Sequence, residues 1–98
     1  MKKTKIICTL GPATDNPQTL EKMILAGMDV ARFNFSHSNY DEHEKRLKEV
    51  IAVREKLNAP VATLLDTKGP EIRLGDFENP DGVTINEGDK FVLTTKEC

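Results

Sequence analysis

The sequence is poor in aromatic residues and has no excess of basic charge. It contains no Trp, one Tyr and four Phe, too few for the aromatic platform on which single-stranded nucleic acids stack. Lys and Arg total 14 against 16 Asp and Glu, so the formal net charge is -2. A nucleic-acid-binding domain usually shows a basic patch or a basic overall charge. We therefore expect no nucleic acid among the partners of this protein.

Cysteines and long apolar runs are equally scarce. The two cysteines, Cys8 and Cys98, are too few for a metal site and fit a buried apolar side chain and a terminal thiol better than a disulfide. The apolar run after Lys2 and Lys3 is too short for a secretory signal. No segment reaches the roughly 20 apolar residues that cross a bilayer. The sequence predicts a cytoplasmic protein without membrane contact.

Short apolar runs alternate with amphipathic segments over the first two thirds of the chain. Three strands are predicted, at residues 4–10, 29–35 and 61–65. A first helix is predicted after an Asn16 cap with Gly27 at its end, and a second from a capping box that begins at Ser38 to about Leu57. The β-α-β-α-β order with short connections predicts a parallel sheet covered by helices, an α/β fold.

The second predicted helix carries acidic and basic residues at four-residue spacing, a pattern typical of a solvated face. These pairs are Asp41–Lys45, Glu42–Arg46 and Glu44–Lys48. His43 lies in the same run and is predicted to be exposed. The apolar stripe that should face the core consists of Leu47, Val50, Ile51 and Leu57.

Beyond Asp66 the chain becomes rich in turn signals. These are Gly69-Pro70, residues 79–82 and residues 86–89, and they separate strand-like pieces at 71–74, 83–85 and 91–95. We predict that residues 1–69 belong to one domain and that residues 70–98 begin a small all-β domain. Three parallel strands with two helices would leave open sheet edges, so we expect the chain to be part of a longer protein.

A row of polar side chains follows the second predicted strand. Arg32, Asn34 and Ser36 are spaced two apart and therefore share one face of an extended strand. In barrels and doubly wound sheets, the carboxyl ends of parallel strands hold the active site. Asp66 follows the next strand. The sequence therefore predicts a polar site at this edge of the sheet.

The residue types in this row suit an oxyanion and a cation. Arg32 is a five-donor fork suited to phosphate or carboxylate, although it could instead pair with Asp29 or a helix acid. The oxygens of Asn34, Ser36 and Asp66 suit a hard cation of low charge, although Asn and Ser at a strand end also serve as local caps.

Two further residues have open alternatives. His37 could contact a phosphate, act as an acid or base, or cap the helix that follows. Arg73, taken alone, is typical of a solvated strand residue.

Three blocks of sequence resemble pyruvate kinase. They are residues 5–13 (KIICTLGPA), 26–37 (AGMDVARFNFSH) and 64–73 (LLDTKGPEIR), in the order of the family. The resemblance is to the amino-terminal part of a bacterial-type member. It implies that residues 1–69 form the first part of a (β/α)8 TIM barrel. It also implies that residues 70–98 form the incomplete start of the β-barrel lid domain.

The resemblance implies a reaction and a set of ligands. Pyruvate kinase transfers the phosphoryl group of phosphoenolpyruvate to ADP in glycolysis, giving ATP and pyruvate, with Mg²⁺ (or Mn²⁺) and in many members K⁺. It implies that Arg32 binds the substrate phosphoryl group. The implied K⁺ ligands are Asn34, Ser36, Asp66 and the carbonyl of Thr67, and the implied nucleotide contacts are Asn34, Phe35, Ser36, His37 and Arg73. The parent is expected to be a cytoplasmic homotetramer.

Two departures from the family are visible. The family often has glycine after the histidine, where this chain has Ser38. The family's enolate-stabilising lysine and its Glu and Asp ligands for Mg²⁺ are expected on later strands, beyond residue 98. We therefore expect the 98-residue segment alone to be inactive. The alternative is a non-catalytic fragment that binds phosphate or nucleotide, or that assembles with another chain.

Overall fold

The computed structural model describes residues 2–96 and confirms the α/β arrangement. Its elements are β1 (Ile7–Thr9), α1 (Pro17–Ala26), β2 (Val30–Asn34), α2 (Tyr40–Lys56) and β3 (Ala62–Asp66), with one 3-10 turn at Pro12–Thr14. The strands form one parallel sheet in the order β1-β2-β3. Cys8 is a partly buried free thiol, and Cys98 lies outside the described residues.

Both ends of α1 follow the prediction from sequence. Asn16 is the N-cap, and its Oδ1 accepts a hydrogen bond of 2.7 Å from the Thr19 amide, satisfying one of the free N–H groups of the first turn. Gly27 ends the helix with φ +120°, a backbone conformation that glycine adopts without strain. A Cβ at this position would also lie 3.3 Å from Lys2 Nζ.

The N-terminus of α2 differs from the prediction by one residue. Asn39 is the N-cap, and its Oδ1 accepts a hydrogen bond of 2.9 Å from the Glu42 amide. Ser38 has φ +63°, whereas an N-cap residue has an extended backbone. The predicted Ser38 capping box is therefore wrong. The predicted end near Leu57 is confirmed.

The core lies between the sheet and both helices. Its buried apolar residues are Leu10, Leu20, Ile24, Met28, Ala31, Phe33, Val50, Val53 and Val61. Because both helices contribute to this cluster together with Ala31 and Phe33 of β2, α1 and α2 cover the same face of the sheet. The alternate residues Arg32 and Asn34 are half-buried and point to the other face, as the sequence predicts.

The inward face of α2 is only partly as predicted. Val50 is buried, but Leu47 is 37% exposed, and His43 and Arg46 are each only 5% exposed. The buried positions 43, 46, 50 and 53 follow the spacing of one helical stripe. Two polar residues occupy this stripe, and for that reason the expectation of a solvated face is wrong at His43 and Arg46.

Residues 67–96 form neither helix nor strand in the described part of the chain. Two of the three predicted turns are present, with hydrogen bonds of 2.9 Å from the Gly82 amide to the Asn79 carbonyl and 3.1 Å from the Asp89 amide to the Asn86 carbonyl. The strand-like pieces between them are exposed and pair with no other strand of residues 2–96. The division at Gly69-Pro70 and the all-β domain stay predictions.

The shape of the chain reflects this open segment. The radius of gyration is 18.3 Å, against about 13 Å for a compact domain of this length. The accessible surface is 8304 Å², against roughly 5,600 Å² for a folded monomer of the same mass. The core therefore belongs to residues 2–66. No helix among residues 2–96 combines the length and apolarity needed to cross a bilayer.

Candidate functional site

The carboxyl ends of the three strands bring together four polar side chains. The strand register pairs Thr9 with Arg32 and Asn34 with Asp66, and register partners on neighbouring strands share one face of a sheet. That face is the one opposite the helices. We call Thr9, Arg32, Asn34 and Asp66 the strand-end cluster.

The Arg32 guanidinium links all three strands. Its Nε and Nη2 donate to Asp66 Oδ2 at 2.9 and 2.6 Å, and its Nη1 donates to Thr9 Oγ1 at 2.8 Å. The alternative pairing of Arg32 with Asp29 or a helix acid is wrong. Asp29 instead accepts a hydrogen bond of 2.6 Å from Lys2, and this bond holds the pKa of that carboxyl below its ordinary value.

The chain turns sharply after β2, and Asn34 organises the turn. Its Oδ1 accepts from the Ser36 amide at 3.1 Å, and its backbone carbonyl accepts from the His37 amide at 3.2 Å. The Phe35 amide donates to the Asp66 carbonyl at 3.0 Å, which joins the turn to β3. Asn34 therefore acts as a local cap, while its amide oxygen keeps a second lone pair for another donor or a cation.

Phe35 and His37 make contacts with α2. The Phe35 ring stacks on the His43 ring at a centroid distance of 4.3 Å and an interplanar angle of 18°, and it lies 5.9 Å from the Tyr40 ring. Phe35 packs on the helix side and is partly buried against the core. The His37 side chain is exposed, while its carbonyl accepts a hydrogen bond of 2.8 Å from His43 Nε2. Because a carbonyl oxygen can only accept, Nε2 carries the hydrogen.

Among the described residues, no interaction joins Arg73 to the strand-end cluster. Its Nε lies 2.8 Å from Glu71 Oε2, and Lys68 Nζ lies 3.6 Å from the other carboxylate oxygen. The hydrogen bond from Arg73 holds the pKa of Glu71 below its ordinary value. Thr67 follows β3 directly and is exposed.

A second polar group, which the sequence did not reveal, lies beneath the loop between β2 and α2 (residues 35–39). Arg46 donates from Nε and Nη2 to the two carboxylate oxygens of Asp15, at 2.6 and 2.8 Å, and from Nη1 to Ser38 Oγ at 3.1 Å. The hydrogen bond from Arg46 lowers the pKa of Asp15. The helical spacing of positions 43, 46, 50 and 53 was the available signal.

The oxygens at the strand ends fit a monovalent cation better than a divalent one. Asn34 and Ser36 offer neutral oxygens, Thr67 a carbonyl and Asp66 the only carboxylate, a donor set that matches a hard ion of low charge. Both bonds from Arg32 end on Oδ2 of Asp66, so Oδ1 takes no part in that pair. Within residues 2–96, no cluster of three or more His, Cys, Asp or Glu could hold a metal ion.

Comparison with known proteins identifies one family. The family described as "Pyruvate kinase, barrel domain" matches residues 1–98. The chain is 52% identical over 95 residues to a pyruvate kinase of Chlamydia muridarum, covering 97% of this chain and 19% of that protein. It is 50% identical over 97 residues to one from Clostridium acetobutylicum, covering 99% of this chain and 20% of that protein.

A solved structure is similar in fold to most of this chain. A pyruvate kinase from Cryptosporidium parvum aligns with a TM-score of 0.68 and 44% identity, over 70% of this chain and 14% of that chain. The chain therefore spans about a fifth or less of the length of the relatives that it matches.

Proposed function

Since this chain belongs to the pyruvate kinase family, we propose that it forms the amino-terminal part of an enzyme that transfers the phosphoryl group of phosphoenolpyruvate to ADP. The products are ATP and an enolate that is protonated to pyruvate, in glycolysis. The observation that carries the proposal is the placement of Arg32 at the carboxyl edge of the sheet, fixed by Asp66 and Thr9.

Arg32 binds the phosphoryl group in this proposal. Of its five N–H donors, three are used by Asp66 and Thr9, which leaves one on Nη1 and one on Nη2 for phosphoryl oxygens. Phosphoryl transfer depends on positioning and on positive charge near the transferred group more than on covalent chemistry. An arginine already held in place by two neighbours meets that requirement without further ordering.

The oxygens of Asn34, Ser36, Asp66 and Thr67 would hold K⁺ beside Arg32. When bound, this ion would add positive charge close to the transferred phosphoryl group. Mg²⁺ (or Mn²⁺) is also required in this proposal, and the family resemblance assigns its Glu and Asp ligands to later strands of the barrel.

The nucleotide would lie against residues 34–37 and Arg73. The Phe35 ring packs on α2, so this residue would contribute its backbone rather than its ring. Residues 70–98 would form part of a lid that closes over the strand ends and excludes water, with Gly69-Pro70 as its hinge. By family resemblance the parent protein would be a homotetramer.

The test uses the full-length protein that carries this segment. We expect ATP formation from ADP that depends on phosphoenolpyruvate and on Mg²⁺, and that is faster in KCl than in NaCl at equal ionic strength. A full-length protein without phosphoenolpyruvate-dependent ATP formation would contradict the proposal. An active protein that does not distinguish K⁺ from Na⁺ would contradict the cation site alone.

The segment of residues 1–98 is proposed to be inactive by itself, because the enolate-stabilising lysine is not among its residues. ATP formation by the purified segment, abolished by Arg32→Ala, would contradict this statement. The intact mass of the native polypeptide decides between an enzyme and a small binding module. A mass several times 11.0 kDa supports the enzyme, and a mass of 11.0 kDa supports the module.

A further inference from the structure

We propose that Arg46 is a positioning residue that ties the loop between β2 and α2 to the loop between β1 and α1. The first of these loops, residues 35–39, carries Ser36 and His37 of the proposed site. The second, residues 10–16, contains Asp15. Arg46 lies on α2 and would act on the proposed site through Ser38.

The contact between Arg46 and Asp15 has the geometry of a strong pair. Two parallel hydrogen bonds of 2.6 and 2.8 Å join the guanidinium to both carboxylate oxygens, the bidentate form that adds orientation as well as energy. The Arg46 side chain is 6% exposed, so solvent screens the pair little on that side. The remaining guanidinium nitrogen, Nη1, is directed to Ser38 Oγ.

Each residue of the turn from Asn34 to Asn39 has a hydrogen bond that holds it. Asn34 Oδ1 holds the Ser36 amide, and Arg46 holds the Ser38 hydroxyl. His43 Nε2 holds the carbonyl of His37. Two buried side chains of α2, one turn apart, therefore fix the two residues that follow Ser36.

Ser38 contributes both its backbone and its hydroxyl to this arrangement. Its φ is +63°, in the left-handed region that favours glycine. The hydroxyl of Ser38 gives Arg46 a contact that glycine could not provide. The strained backbone and the Arg46 contact together anchor the loop two residues after Ser36.

This inference rests on the proposed function only for its effect on activity. Ser36 is a proposed ligand of K⁺, and residues that orient metal ligands through hydrogen bonds affect metal affinity or activity about 10- to 100-fold. A loop released from Asp15 should therefore bind K⁺ more weakly. The structural part of the inference, that Arg46 orders residues 35–39, holds whatever the reaction is.

The experiment compares four variants of the full-length protein. Arg46→Lys keeps the charge but loses the bidentate fork, and Asp15→Asn keeps the size but loses the carboxylate. Ser38→Gly removes only the hydroxyl and accepts φ +63° without strain. Lys56→Met is the matched control, because it removes the Lys56–Glu21 ion pair at the other end of α2.

Two readouts are measured: the K⁺ concentration that gives half-maximal activity, and amide hydrogen exchange of residues 35–39. We expect Arg46→Lys and Asp15→Asn to raise the K⁺ concentration for half-maximal activity about 10-fold or more. We also expect both variants to accelerate amide hydrogen exchange of residues 35–39. We expect Ser38→Gly, which removes the contact through which Arg46 acts, to change both readouts to a similar extent, and Lys56→Met to leave both unchanged. The double variant of Asp15 and Arg46 should be no worse than either single one.

Several outcomes would overturn the inference. One is a lower melting temperature for Arg46→Lys and Asp15→Asn with unchanged exchange and K⁺ response, which is the result of a purely structural pair. Another is unchanged exchange and an unchanged K⁺ response in Ser38→Gly, which would show that Arg46 does not act on the site through Ser38. A wild-type protein without kinase activity would contradict the proposed function, and hydrogen exchange alone would then decide the role of Arg46.

Discussion

Arg32 and Asp66 lie on neighbouring strands, and both hydrogen bonds between them end on one carboxylate oxygen, Oδ2. This geometry lets one carboxylate serve two purposes, because Oδ2 orients the guanidinium while Oδ1 stays outside the pair. It also couples the proposed phosphoryl-binding residue to a proposed K⁺ ligand. A change at either residue should therefore affect the binding of both K⁺ and the phosphoryl group.

Substitution of Arg32 by lysine should be severe although the charge is kept. Lysine has a single nitrogen and cannot bond Asp66, Thr9 and a phosphoryl oxygen with the same fixed fork. We expect kcat/KM for phosphoenolpyruvate in the full-length enzyme to fall by about 10²- to 10³-fold. Arg54→Lys is the matched control, because Arg54 donates to the Val61 carbonyl away from the strand ends. Equal activity of Arg32→Lys and Arg54→Lys would contradict the assignment of Arg32 to the site.

Truncation of Leu20 should destabilise the fold, whereas truncation of Leu25 should not. Both lie on α1, but Leu20 is 1% exposed and Leu25 is 71% exposed. Leu20→Ala should lower the free energy of unfolding by about 2–5 kcal/mol, because it leaves a cavity in the core. Leu25→Ala should change it by less than about 0.5 kcal/mol. Chemical denaturation of the full-length protein measures both, and similar losses would contradict the assignment of the buried face.

The pair between Asp15 and Arg46 should contribute stability that is lost in acid. The hydrogen bond from Arg46 holds the folded-state pKa of Asp15 below its ordinary value of 3.8. The contribution is therefore fully present above that ordinary value and disappears as the pH falls through the lowered pKa. Melting temperatures of wild type and Asp15→Asn should converge between about pH 5 and pH 2. A constant difference across that range would show that the charge of Asp15 does not matter.

The isolated segment of residues 1–98 should self-associate or form a molten state. Ile72, Leu74, Val92 and Leu93 are each at least 60% exposed. The outer edges of β1 and β3 pair with no strand within residues 2–96. Light scattering and dye binding would detect association and loose packing. A monodisperse monomer with a sharp cooperative melt would contradict this expectation.

Local signals in the sequence were sufficient for several elements. The Asn16 cap and Gly27 bounded α1 correctly, because capping and left-handed turns depend on neighbouring residues. Alternation along β2 assigned Arg32 and Asn34 to one face, because side chains of a strand alternate strictly. The Ser38 cap was wrong because Asn39 competes for the same role one residue later.

The sequence by itself determined the order of elements, the parallel sheet and the shared strand face of Arg32 and Asn34, since these follow from periodicity and turn chemistry. Ser36, predicted on the same strand face, lies instead in the turn after β2. Only the tertiary structure decided which partners the polar residues have. It paired Arg32 with Asp66 and not with Asp29, and it buried Arg46 against Asp15, which lies 31 positions away. Such pairs depend on how strands and helices pack against each other. A sequence pattern within one segment does not determine that packing.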